Sequence, residues 1–193
     1  MGQRIPTEGS PAAASPALLR ICTVLAQQDD AASPFDMLEG QRMILLSVCA
    51  LLDTLPDAGP QLQQPLAAAI AGYLRSDFPA MIAEEEEGLL PRLRERLLLG
   101  DDLDQVLRQL EEEHRRDRRQ AALLAAECDS LADGLMPDEV PALFAALHAF
   151  AEQQRRHLAW EAATLLPLAR NRLTPADLSG WARAMRARRL LQQ

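Results

Sequence analysis

The apolar residues of this chain recur at spacings of three and four along four long stretches, and that period limits the folds open to it. A stripe at this spacing lies on one side of an α-helix and must be buried against a neighbouring helix. The stretches run from about Pro34 to Leu55, Gln61 to Leu98, Asp101 to Ala132 and Asp138 to Arg170. A fifth, shorter helix begins at "LTPADL", where Thr174 is a natural N-cap and Pro175 the first helical position. Strong helix formers dominate, and aromatic residues make up only 4%, leaving little material for strands. Short connections make sequential helices antiparallel neighbours. The expectation is an all-α, up-down-up-down four-helix bundle over residues 34–193. Pro79 and Pro91 fall inside the second stretch and are expected to kink it. Residues 1–33 are read as a flexible N-terminal extension with one short helix over "SPALLRICTVLAQQ".

Several function classes are set aside by composition. A net charge of −8 argues against a general nucleic-acid binder, which needs a basic face. No apolar run is long enough to span a bilayer, and the N-terminus lacks the layout of a signal peptide. A cytoplasmic location without a membrane partner is the expectation. Cys22, Cys49 and Cys128 are isolated and odd in number, so they give neither a disulfide framework nor a metal-binding pair. None of the nine glycines forms a phosphate-cradling loop, and no nucleophile–base arrangement stands out. A catalytic role is therefore not the first reading. All 20 basic residues are arginine, which suggests a GC-rich bacterial genome.

Polar residues interrupt the stripes. The first stripe is Leu38, Gln41, Leu45, Val48, Leu52 and Leu55. In the second, Leu74, Phe78, Ile82, Leu89 and Leu93 enclose the run "EEEE" at 84–87. Four consecutive helical residues sweep ~300° of azimuth, so at least one of these glutamates must lie on or beside the inward stripe. The frame of Ile82 and Leu89 selects Glu86, with Glu85 at the margin. The third stripe contains His114 and Asp117; the fourth contains Gln154, His157 and Glu161. Counted from the helix ends, His114, His157 and Glu86 share one level of an antiparallel bundle, and Glu161 lies one turn from His157. Two imidazoles and two carboxylates in one buried layer need compensation, and a cation supplies it. Imidazole with carboxylate suits iron, manganese or zinc. His148 lies nine residues from His157, on the other side of the helix, and is excluded. Asp117 and Gln154 are read as structural residues beside the layer, while Cys49 and Cys128 are read as small buried hydrophobes.

The segments "PFDMLEGQRMI", "EEEEGLLP", "LEEEH" and, most specifically, "HLAWEAATLLPLARNRLTPADLSGWARAMRARR" resemble a hemerythrin-like HHE cation-binding domain. The resemblance covers roughly residues 34–190 and implies a four-helix bundle with iron in its centre. Carried over position by position, it implies ligands at 41, 82, 86, 114, 157 and 161, the glutamates bridging two irons. Glu86, His114, His157 and Glu161 match, whereas Gln41 and Ile82 stand where two histidines belong. In the family those two histidines serve the same iron. Half of a dinuclear site is therefore missing, and one ion per chain is expected. Reversible O2 carriage draws an electron from each of two irons, so sensing or stress response, with O2 or NO as the ligand, is what the resemblance implies here. Gln41 is expected to fill the vacated half by hydrogen bonding to Glu86 or Glu161. Two competing readings remain at this level: a metal-free bundle serving as a structural or interaction module, and a mononuclear non-haem iron enzyme.

Overall fold

The computed structural model describes residues 33–134 and 139–191, and all regular structure among them is helical. The expected N-terminal extension and its short helix lie outside the described residues, Ser33 excepted. Helix α1 spans Pro34–Thr54 and ends in a short 3-10 turn, Leu55–Asp57. The second arm is α2 (Pro60–Arg75), α3 (Asp77–Glu84), a π-helical turn (Glu85–Leu89) and α4 (Leu90–Arg94). Helix α5 runs unbroken over Leu103–Ala132. The fourth arm is α6 (Val140–Trp160), a second π-helical turn (Glu161–Leu165) and α7 (Leu166–Arg172). Helix α8 spans Pro175–Leu191.

The helix starts follow local chemistry. Ser33 and Asp36 form a reciprocal capping box ahead of Pro34, with the Ser33 hydroxyl accepting from the Asp36 N–H at 3.2 Å. Thr174 and Asp177 repeat the device at α8, where the Asp177 carboxylate accepts from the Thr174 N–H at 2.8 Å. The second arm breaks at Ser76, three residues before Pro79, so the missing proline N–H falls in a first turn where it has no intrahelical partner to lose. Gly100 and Gly134 take positive φ angles of 84° and 99° in the turns on either side of α5.

The buried apolar residues form two clusters rather than one. One holds Leu45, Leu52, Phe78, Leu124 and Phe150 among others, with Phe78 and Phe150 edge-to-face at 5.4 Å. The other holds Leu38, Leu89, Leu107, Leu165 and Trp181. Trp181 brings α8 across this second cluster and meets Phe35 edge-to-face at 5.4 Å. Between the clusters lies a buried polar band made of Arg42, Glu85, His114, Asp117, Gln154 and Glu161. Each long arm crosses the band once, because apolar residues of both clusters flank these positions in sequence. Among the described residues, no helix is long and apolar enough to cross a membrane.

Candidate metal centre

The four glutamates at 84–87 meet four different fates. Glu84 pairs with Arg188 of α8. Glu85 turns inward and is 2% exposed. Glu86 sits at the margin, bonded to Arg118 Nη1 at 2.7 Å and 3.4 Å from His114 Nδ1. The Glu87 side chain is 63% exposed and faces solvent. The inward member is therefore Glu85, not the Glu86 selected by the frame of Ile82 and Leu89.

The π turn explains the difference. It begins at Glu85, and the Leu90 N–H reaches back to the Glu85 carbonyl. In this wider turn each residue advances less in azimuth than in an α-helix, so the frame counted from Ile82 slips, and Glu85 is buried with Leu89 while Glu86 lies at the margin. Pro91 gives a physical cause: in a continuous α-helix its ring would collide with the carbonyl four residues back. The fourth arm repeats the arrangement, with a π turn from Glu161 and Pro167 after it. The pattern Glu-x-x-x-Leu-Leu-Pro occurs at 85–91 and again at 161–167. That repeat was a readable signal for Glu85 as the counterpart of Glu161. It also makes Met81, rather than Ile82, the counterpart of His157.

Glu85, His114, His157 and Glu161 each offer one ligand atom, and these atoms all lie within 4.8 Å of one another. His114 Nε2 is 3.3 Å from Glu85 Oε2, and His157 Nε2 is 3.1 Å from Glu161 Oε1. The two rings stand 5.4 Å apart between centroids. Both nitrogens of His114, and Glu161 Oε1, are nevertheless buried without a hydrogen-bond partner among the described residues. These atoms approach one another without pointing along each other's hydrogen-bonding directions, as donors do when they converge on a common point. Two ligands of one ion at ~2.1 Å stand roughly 3.0–3.4 Å apart, which matches the two observed contacts. Each buried polar atom left unmatched costs about 1–3 kcal/mol, so a cation here would remove a real penalty.

The charges are arranged unevenly. Burial, then the Glu161 charge and a carboxyl–carboxyl contact with Glu161, push the Glu85 carboxyl well above the usual carboxylate range. Burial also disfavours charge on Glu161, but His157, Glu85 and Arg42 outweigh it and hold that carboxyl below its ordinary value. Burial lowers His114 toward the neutral form that ligates metals. Burial acts in the same sense on His157, but the adjacent Glu161 prevails and raises it.

One neighbour of the group differs from expectation. The side chain on Glu161 belongs to Arg42, which is 4% exposed, and not to Gln41. One Arg42 nitrogen donates to Glu161 Oε2 and another to the Leu158 carbonyl. Gln41 Oε1 is buried without a partner among the described residues. Gln154 donates to Asp117 Oδ2 at 2.9 Å, with Gln153 on the other oxygen, so the two residues brace each other beside the layer, as expected. His148 pairs with Asp53 at 2.9 Å on the exposed side of its helix, away from the group. A cavity of about 570 Å³ between α5 and α6 runs from Trp160, Arg156 and Arg116 to His157, the least buried of the four.

A helical bundle that turns carboxylates and imidazoles toward its axis at one level belongs to the class of helical carboxylate–histidine cation-binding proteins. The profile of the hemerythrin HHE cation binding domain matches residues 33–169, well over half of the chain, and the protein belongs to that family. No curated protein and no solved structure gave a match.

Proposed function

We propose that this protein binds a single iron ion through Glu85, His114, His157 and Glu161 and serves as a sensor of O2, NO or oxidative state rather than as an oxygen carrier. The observation that carries the reading is the convergence of donors from three arms on one buried point, with atoms of His114 and Glu161 left unpartnered. The proposal sets these residues in an up-down-up-down antiparallel four-helix bundle, which the passage of each arm between the two apolar clusters supports. Bound there, the ion supplies a Lewis-acid and one-electron centre suited to a small diatomic ligand. The protein residues divide the remaining work. His114 offers a neutral imidazole, and Glu161 is kept ionised. Glu85 would complete the set with a second carboxylate at the same level. The cavity between α5 and α6 gives a small ligand a path to the His157 side of the group. Met81 and Gln41 offer no imidazole, which limits the centre to one ion.

The test is anaerobic loading with Fe2+ followed by metal analysis. One equivalent per chain is expected. Glu85→Ala and His157→Ala weaken binding by tenfold or more, while Glu86→Ala leaves it nearly unchanged. Failure to retain metal would end the proposal and leave the group as a polar layer within an interaction module.

A further inference from the structure

Glu161 presents its two carboxylate oxygens to different surroundings. Oε1 faces His157 and has no hydrogen-bond partner among the described residues, while Oε2 accepts from the Arg42 guanidinium. Arg42 is as deeply buried as the group it serves, and its second donor takes the Leu158 carbonyl just before the π turn. Its Nε is 3.5 Å from Glu39, so the charge is anchored along α1 as well. A guanidinium does not lose its proton in a protein, and its fork of donors fixes a carboxylate in orientation as well as in charge.

We propose that Arg42 is a permanent, built-in cation at Glu161 that occupies one of the two cation positions this carboxylate offers. The inference rests on the metal reading above and deepens it. In that arrangement Glu161 bridges a guanidinium and a single metal ion. The guanidinium holds Oε1 aimed at the ligand group whether or not an ion is present. It also excludes a second metal by position and by charge, since like charges sharing one carboxylate in a weakly screened interior repel. Missing histidines are then not the only reason for a one-ion centre. Restoring them would not suffice while Arg42 stays.

The experiment uses full-length protein and Mn2+, with metal content and thermal melting as readouts. The Gln41→His/Met81→His variant, with Arg42 retained, is expected to hold one Mn2+ per chain, and its EPR spectrum to be that of isolated ions. Two equivalents with an exchange-coupled spectrum would overturn the proposal. In the otherwise unaltered chain, saturating Mn2+ is expected to raise the melting temperature of Arg42→Met more than that of wild type, because metal and guanidinium no longer oppose each other. Arg42→Lys, which keeps the charge, should respond as wild type does. An ordinary structural ion pair would give equal metal-induced shifts in all three proteins, and that outcome would also overturn the proposal. Should Arg42→Met fail to fold, the histidine variant decides alone. Wild type that takes up no Mn2+ would instead remove the metal reading itself, whereas one bound ion with equal shifts would remove only the role given to Arg42.

Discussion

Gly88 lies in the π turn that begins at Glu85, under the indole of Trp181. A Cβ at this position would lie 2.3 Å from Trp181 Nε1 and 2.6 Å from its Cδ1. Ordinary contact begins near 3.4 Å, so Gly88→Ala must push the ring aside by roughly 1 Å. Trp181 is fully buried among Phe35, Leu89 and Leu93 and has no room to yield freely. Overpacking of this kind costs about 1–3 kcal/mol, and the better helix propensity of alanine returns at most ~1 kcal/mol. With the full return subtracted the net loss is about 0–2 kcal/mol, a fall in melting temperature of up to about 8 °C for a chain of this size. Gly72→Ala is the matched control. Among the described residues, nothing outside its own stretch of helix backbone lies within 4 Å of its added Cβ, so the same exchange should stabilise the protein by about 0.5–1 kcal/mol. The assay is thermal melting by circular dichroism, with tryptophan emission recorded in a Trp160→Phe background so that Trp181 alone reports. Gly88→Ala should melt lower and shift the emission to the red. Equal melting temperatures for the two alanine variants, with unchanged emission, would refute the close packing of α8 on the π turn.

Burial raises the thiol of Cys49 to about 11 and that of Cys128 to about 12, so neither should react with iodoacetamide in native protein at mildly alkaline pH. Peptide mass spectrometry showing rapid native labelling of either would contradict their burial. Asp117→Ala leaves the buried Gln154 amide without its acceptor and should cost about 1–3 kcal/mol in urea unfolding, with Asp117→Ala/Gln154→Leu costing less than the sum of the single changes. Thr174→Ala removes the N-cap of α8 and should cost about 1 kcal/mol by the same assay. Arg96 and then the Thr174 bonds hold Asp177 well below its ordinary value. Its contribution is thus present above its unfolded value and lost as pH falls toward the depressed folded one. The stability gap between wild type and Asp177→Asn should be constant near neutral pH and narrow only below about pH 4; a gap already closing near pH 6 would contradict the pairing.

Straight helix was the most legible part of the sequence. Every position of the α5 stripe, from Leu103 through His114 and Asp117 to Cys128, is buried as its three-and-four spacing implies. The capped start at Thr174 was readable for the same reason, since a cap is a local contact; the equivalent cap at Ser33 was not picked out. The misreading came where the helix leaves the α period. Counting from Ile82 to Leu89 assumes a regular frame, and one π turn between them exchanges Glu85 for Glu86. The repeated Glu-x-x-x-Leu-Leu-Pro carried that information, but periodicity alone weighs each helix separately. Arg42 was missed for another reason. Charged residues seldom lie fully buried, and nothing local to α1 reveals that a carboxylate 119 residues away awaits its guanidinium.

Anomalous diffraction from crystals soaked in Mn2+ locates the metal and its ligands in one measurement. A single strong peak enclosed by Glu85, His114, His157 and Glu161, with Arg42 still on the outer oxygen of Glu161, is the predicted result. A second peak beside Glu161, a peak ligated by Glu86 in place of Glu85, or no peak within the bundle would contradict it.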